Sequence, residues 1–372
     1  MTRRVTAVML AFTLVAALAV AFAAFAQEQP APEQPAPQQP PQAQPAPAPP
    51  TPEQPVPEQS ALLRLKFAPN ETMRYRIHAD AEGTMRMNMP MSGQGGQSSM
   101  MPGELPVHMV IQGEGVAKVL RVDASGAARL RVSADNLKMI IDIMGQNMAF
   151  SVTGGKYSVT QNGKRVEGGK IPMIPGGGKI PVLQEPIELK IGPRGELLDL
   201  AIPGFTEMMK MMPGMSLKDM MKGQVLLPEQ PLLLGQPWSE SKNETLPGTN
   251  APITYEMKMA LNGIETWAGG RKIANIRVES VTTGHNIDMG QAMQQGAKGM
   301  PQGMPPMSGT MSIDQQLGGT MQFDTTRGML IRFDFQLNQQ MSMNGAVPTP
   351  QQGSQNMDMD MQFTIKGALA KI

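Results

Sequence analysis

Thioether is the one soft donor this chain offers in quantity. Met85, Met87, Met89 and Met91 recur at a spacing of two, as do Met357, Met359 and Met361, with shorter pairs at Met257/Met259 and Met341/Met343. On a β-strand, residues two apart share a face at ~6.6 Å, and a paired strand lies ~4.8 Å away. Thioethers from two such strands could therefore converge, and soft sulfur selects Cu(I). Met85, Met87, Met89, Met357, Met359 and Met361 are the candidate ligands on that reading. Other chemistry is scarce. With no Cys there is no disulfide, thiolate zinc site, cysteine nucleophile or lipid-carrying cysteine. His78, His108 and His285 are the only imidazoles and leave little for a catalytic metal. His78 and His108 sit in predicted strands and could face each other if those strands pair.

The competing role for methionine is packing. Met is unbranched and polarizable, and it fills irregular apolar gaps. The spaced Met residues alternate with Asp358, Asp360 and Gln362 just as Leu, Phe and Ile alternate with polar residues elsewhere. Aromatic residues make up only 4% of the chain, so something else must supply apolar bulk. On this reading Asp358 and Asp360 simply solvate an outer face. The Met-x-Met steps resemble the methionine-rich segments of periplasmic copper-handling proteins, a resemblance of composition that lacks their accompanying His. Met100, Met101, Met300, Met304 and Met307 fall in loop-like sequence where packing supplies no reason for them.

Motifs for catalysis are missing. Gly-Gly-Lys occurs at Gly154, Gly168 and Gly177, but a phosphate loop needs Ser or Thr after the Lys, and here Tyr157, Ile171 and Ile180 follow. There is no Gly-x-Ser-x-Gly, His-Glu-x-x-His or Asp-rich calcium loop. A carboxylate pair for glycoside hydrolysis needs no local spacing, but two Trp and three Tyr are few for stacking sugars. No catalytic residue and no cofactor is assigned, and the expected protein is not an enzyme.

The elements that would hold these side chains are mostly strands. Leu63, Leu65 and Phe67 alternate with Arg64 and Lys66, and Met73, Tyr75 and Ile77 with Arg74 and Arg76. Phe363 and Ile365 continue the run begun by Met357. One apolar and one polar face is the signature of half-buried antiparallel strands. Asn162-Gly163 marks a two-residue hairpin. Leu120 to Gly126, Leu189 to Gly195 and Met321 to Gly328 each read as strand, tight turn, strand. Three long segments, 90–104, 290–308 and 346–356, rich in Gln, Gly, Pro, Ser or Met, read as disordered loops of long hairpins that could gather at one rim. Between Gly204 and Lys222, Phe205, Met208, Met209, Met212, Leu217, Met220 and Met221 follow helical spacing, interrupted by Pro213-Gly214.

Thr2 to Arg4 is a short basic start, Val5 to Ala24 is apolar, and Ala24-Phe25-Ala26 suits signal peptidase, so residues 1–26 read as a cleaved secretory signal. Residues 27–60 form a Pro/Gln/Ala-rich linker, a semi-rigid polyproline II spacer. Removing Arg3 and Arg4 from 32 basic residues leaves 30 against 31 acidic, a balance that argues against nucleic-acid binding. Residues 61–372 are the β-rich domain, with two similar halves, 61–203 and 223–372, joined by the helix at 204–222, as one arrangement. No transmembrane segment is expected after cleavage, and the destination is the periplasm or the exterior.

The expected fold is mainly β: long antiparallel hairpins in a curved sheet or incomplete barrel, with the broken Met-rich helix laid on its open side. Leu232 to Trp238, Gly269 to Ile276 and Phe323 to Leu330 resemble features of uncharacterised secreted bacterial β-rich proteins, with a layout similar to periplasmic lipoprotein carriers. Curved sheets of this kind commonly enclose an apolar cavity, and the resemblance implies no catalytic residue. The leading expectation is an exported protein that binds an apolar small molecule or an envelope protein through a Met/Leu-lined concave face, with Met208, Met209, Met212, Met220 and Met221 as lid contacts. Periplasmic Cu(I) binding, and a structural envelope protein on a Pro-rich stalk, are the alternatives.

Overall fold

The computed structural model describes residues 60–88, 103–143, 145–154, 156–166, 186–201, 226–245, 251–288, 308–349 and 353–372. Its strands are β1 (Ser60–Ala61), β2 (Thr72–Asn88), β3 (Leu105–Val122), β4 (Ala128–Ile143), β5 (Gln146–Thr153), β6 (Lys156–Gln161), β7 (Lys164–Arg165) and β8 (Ile187–Ile191). They continue with β9 (Leu197–Ala201), β10 (Leu232–Leu233), β11 (Pro237–Thr245), β12 (Pro252–Trp267), β13 (Arg271–Asp288), β14 (Ser308–Asp324), β15 (Met329–Thr349) and β16 (Gly353–Lys371). The signal, the linker and the segment 204–222 lie outside the described residues.

The protein is mainly β. Among the described residues, fourteen strands form one antiparallel sheet in the order β11-β12-β13-β14-β15-β16-β2-β3-β4-β5-β6-β7, with β8 paired to β4 and β9 to β8, and the sheet does not close into a barrel. Strand β16 pairs with β2, so the last strand of the chain seals against the first long one, and both halves of the sequence contribute to one sheet. Two of the sheet's open edges, β11 and β7, are poor templates for further pairing. Edge strand β11 carries Pro237, Glu240, Lys242 and Glu244, and β7 is the two-residue Lys164–Arg165. Charge, proline and shortness are the usual protection of an unpaired edge.

The long strands mostly bury one parity of residues. Along β2, Met73, Ile77, Ala79, Ala81 and Met85 are buried, while Arg74, Arg76, His78, Glu82 and Arg86 are exposed. In β4 the parity changes, from Leu130 and Val132 to Leu137, Met139 and Ile141. The ladder explains it: Gly115 pairs with Ala134 but Glu114 with Asn136, so Asp135 is the extra residue of a β-bulge. A one-residue insertion turns the following side chains over, and the bulge keeps the apolar set inward.

Two cores stack along the strands. The lower core runs from β2, β3, β4 and β8 through β16 and β15 to β14, β13 and β12, and the sheet curls, because the consecutive residues Leu65 and Lys66 reach both Pro193 in the β8–β9 turn and Gly328 in the β14–β15 turn. Leu63, Leu65, Leu227 and Leu232 fill its mouth. Arg64 fastens that plug by donating to the carbonyls of Pro228 and Glu229. The upper core gathers β2 to β6 with β15 and β16, and Leu317 and Phe335 touch both. Curvature is helped by aromatic–glycine pairs on the inner face: Phe363 opposite Gly83, and Phe335 opposite Gly367. A Cβ on Gly367 would stand 2.6 Å from the Phe335 ring, so the ring occupies the space that the glycine leaves.

The turns match the sequence expectations. Asn162 and Gly163 take φ of 50° and 75° between β6 and β7. The three strand–turn–strand patterns are the β3–β4, β8–β9 and β14–β15 connections, with Gly126, Gly195 and Gly328 at positive φ. Two expectations change. Leu63, Leu65 and Phe67 alternate in burial but join no ladder. Leu65 and Lys66 instead donate backbone hydrogen bonds to Pro193 and Gly328, because the segment crosses the sheet's mouth rather than extending its edge. The segment expected to be a loop at 346–356 is strand over most of its length, since Ala346–Thr349 pairs with Gly353–Asn356; continuing the ladder satisfies backbone groups that a loop would leave to water.

Candidate functional site

The register of the sheet decides which side chains meet. Three hairpins, β13–β14, β15–β16 and β2–β3, are neighbours in the sheet and turn at the same end, so the strand ends leading into 89–102, 289–307 and 350–352 share one rim. Just below that rim the methionines fall into cross-strand rows. Met311 pairs with Met343, Met343 with Met359, and Met359 with Met87. One step lower, Met341 pairs with Met361 and Met361 with Met85. Met85, Met359 and Met361 are buried in the upper core, and Met341 and Met343 pack against it half-buried. Of the remaining Met residues singled out in sequence, Met257 and Met259 belong to the lower core. Met357 is the register partner of Gly345. Met89, Met91, Met100, Met101, Met300, Met304 and Met307, with Met208, Met209, Met212, Met220 and Met221, lie outside the described residues.

The inner face is not uniformly apolar. From β11 toward β15 its middle row reads Lys242, Tyr255, Thr282, Gln315 and Gln339 before reaching Phe363 on β16. Glu240 and Glu244 flank Lys242 on the same face, and Ser280 stands opposite Met257. All of these polar residues are half-buried. Lys242 pairs with Glu240 at 3.1 Å. One oxygen of Glu244, Oε2, is shielded from solvent with no hydrogen-bond partner among the described residues. A sheet that buried this stretch in ordinary core would not place five consecutive polar side chains inward, because unpaired polar groups cost roughly 1–3 kcal/mol each there. The Met- and Leu-lined wall expected from sequence therefore occupies only part of the face. The polar band was readable as inward-facing only once β11 was known to pair with β12.

Tyr255 reports on this band. Burial, and secondarily the Glu244 carboxylate, push its phenol from an ordinary value near 10 up to about 12. A phenol whose folded value is raised contributes stability that is fully present below pH 10 and is lost as pH rises through about 12. Absorbance titration of the Glu244→Gln variant is expected to show Tyr255 ionising at lower pH than in the wild type, yet above the ordinary value, since burial is the larger cause. An unchanged titration would separate Glu244 from the Tyr255 ring.

On the convex face, His108 lies opposite Glu82 and His78 opposite Gln112, so the two histidines do not meet. His108 Nε2 instead stands 3.1 Å from Asp80 Oδ1. Asp80, Glu82 and His108 bring three donor atoms within 4.8 Å of one another, in the open. Asp358 and Asp360 are exposed on that face, as the alternation predicted. Among the described residues, no helix is long and apolar enough to cross a membrane, a statement that does not extend to strands.

No family model matches the chain, and no curated protein matches it in sequence. Among solved structures it is similar to OccK7 (OpdD) of Pseudomonas aeruginosa, at 7% identity over 82% of this chain and 100% of that one, with a TM-score of 0.19. OccK8 (OprE) of the same organism is 8% identical over 82% of this chain and 100% of its own, with a TM-score of 0.17. An outer membrane channel of Pseudomonas putida F1 is 7% identical over 85% of this chain and 100% of its own, at 0.14. Scores this low mark no shared fold.

Proposed function

We propose that this is an exported, non-enzymatic protein that binds an amphipathic molecule on the inner face of its curled sheet. The observation that carries the reading is the change of chemistry along that face. Apolar side chains from β16, β2, β3, β4 and β5 form one wall, and Lys242, Tyr255, Thr282, Gln315 and Gln339 with Glu240 and Glu244 form the other. Ligand sites commonly combine an apolar lining with a few placed polar groups that orient the ligand. Here the hydrocarbon part would lie against the Met, Leu and Phe wall, and the head would meet the polar band. Two carboxylates against one ammonium, already engaged with Glu240, favour a head that carries positive charge or donates hydrogen bonds. The signal-like residues 1–26 and the Pro-rich linker support export to the periplasm or beyond.

Two fluorescent probes test it: a dansylated alkylamine and a dansylated fatty acid of equal chain length. The amine is expected to bind at least several-fold more tightly, and Glu244→Gln to remove most of that preference while leaving the fatty acid unaffected. Failure of both probes to bind, or a preference that survives Glu244→Gln, would overturn the proposal.

A further inference from the structure

The methionine rows near the rim are placed for a different chemistry, independent of the amphiphile reading. Met341 and Met343 on β15 stand directly opposite Met361 and Met359 on β16, a square of four thioether side chains on one face of two paired strands. Met311 on β14 extends the upper row beyond Met343, and Met85 on β2 extends the lower row beyond Met361. Directly opposed Cβ atoms in an antiparallel pair lie ~4.5–5.5 Å apart. Neighbouring residues on the same strand face are ~6.6 Å apart. Unbranched side chains with three rotatable bonds can close those gaps and bring two to four sulfurs around one ion.

Burial grades across the square. Met359 and Met361 are 1% and 6% exposed, whereas Met341 and Met343, like Met311, are half-buried. The inner pair is held by packing and the outer members keep access from the rim. That combination gives an anchored but reachable set of donors. Met257 and Met259 provide the contrast: both are buried in the lower core, and their partners on β13, Ser280 and Val278, carry no sulfur.

We infer that Met341, Met343, Met359 and Met361 form a Cu(I) site at the rim of the sheet. Thioether donors select soft monovalent copper over hard cations, which prefer oxygen. The two carboxylates nearest in sequence, Asp358 and Asp360, alternate onto the opposite face and are exposed there, so the square presents sulfur without competing oxygen ligands of its own strand. No Cys exists to displace thioether from the ion.

Anaerobic titration of the purified full chain with Cu(I), against a chromophoric Cu(I) chelator, tests the site, with Ag(I) as a redox-inert soft probe. The wild type is expected to withdraw one equivalent of Cu(I) from the chelator. The double variant Met343→Leu/Met359→Leu conserves volume and is expected to weaken binding by at least tenfold while keeping the thermal midpoint of the wild type within a few degrees. Met257→Leu/Met259→Leu, in the lower core, is expected to bind as the wild type does. No withdrawal of Cu(I) by the wild type would overturn the assignment, as would equal affinity in the Met343→Leu/Met359→Leu variant or an equal loss in the lower-core variant. Should Met343→Leu/Met359→Leu prove unstable, Met341→Leu alone, at a half-buried position, gives the same reading: a severalfold loss supports the square, and none overturns it.

Discussion

Replacing Asp324 by alanine is expected to destabilise the protein by about 3 kcal/mol, near the lower end of what removing one partner of a buried ion pair costs. Asp324 is the one charged residue among the described ones that is fully buried, with no exposed surface at all. Its Oδ2 accepts from Arg271 Nε at 2.7 Å, and its Oδ1 accepts from the backbone N–H of Arg327 at 2.9 Å. Its own carbonyl accepts from Gly328 at 2.7 Å, closing the β14–β15 turn. The same turn is tied to the start of β13, where Lys272 N–H donates to Thr326 Oγ1 at 3.0 Å. Arg271 also lies over the Trp267 ring, 5.6 Å from its centroid. Removal of the carboxylate would strand this guanidinium, which stays 26% exposed; that exposure keeps the cost at the lower end of the range.

Thermal melts should show a fall of roughly 5–10 °C for Asp324→Ala, given the few degrees per kcal/mol typical of a domain this large. Asp324→Asn should cost less, because an amide oxygen can still accept from Arg327 N–H. The pH dependence has a definite sign. Burial by itself would raise the Asp324 carboxyl, but the hydrogen bonds from Arg327, Arg271 and Thr326 and the charge of Arg271 prevail and hold it below its ordinary 3.8. A depressed carboxyl contributes stability that is present above the ordinary value and lost as pH falls through the folded one. The gap between wild type and Asp324→Asn should therefore be full at neutral pH and shrink below pH 3.8. A gap that persists undiminished in strong acid would assign the effect to turn shape alone.

Gly83→Val is expected to weaken the junction between β16 and β2 by roughly 1–3 kcal/mol, the usual cost of forcing extra volume into a packed site. A Cβ at Gly83 would collide with the carbonyl oxygen of Gln362 and with the Phe363 ring. A ring can turn aside; a ladder carbonyl cannot without breaking the pairing. In a Phe363→Leu background, Gly83→Val should therefore cost less but not nothing, and the residue of the effect measures the backbone clash. Hydrogen exchange should locate the loss, with amides of β16 and β2 exchanging faster than those of β12 and β13. Equal costs in both backgrounds would mean that the Phe363 ring plays no part.

These two sites also divide what was legible in the sequence. The turn at Asp324 belongs to a strand–turn–strand pattern visible in the chain from Met321 to Gly328, because the residues that make it are local. Its partner Arg271 was not visible, since β13 reaches that turn only through the sheet order. Gly83 gave no signal at all: its constraint comes from Phe363, at the other end of the chain. The polar band behaved the same way. Lys242 and Glu244 alternate with Ser241 and Asn243, so no apolar face marks which parity of β11 points inward, and the pairing of Lys242 with Tyr255 decides it.

Side-chain alternation, turn residues and charge are properties of neighbours along the chain, and they alone determined that this protein is built of long antiparallel strands with a solvated outer face and tight turns at Asn162-Gly163 and the three Gly-ended patterns. Which strands meet, and in what register, was decided only in three dimensions. Backbone hydrogen bonds are the same for every residue, so a ladder does not read the side chains it aligns. The curl of the sheet, the bulge at Asp135 and the closure of β16 on β2 fix which of the possible pairings is realised. That is why three of the four spaced runs of methionine, indistinguishable in sequence from ordinary core, contribute to two aligned rows at one rim, while the fourth, Met257 and Met259, remains packing in the lower core.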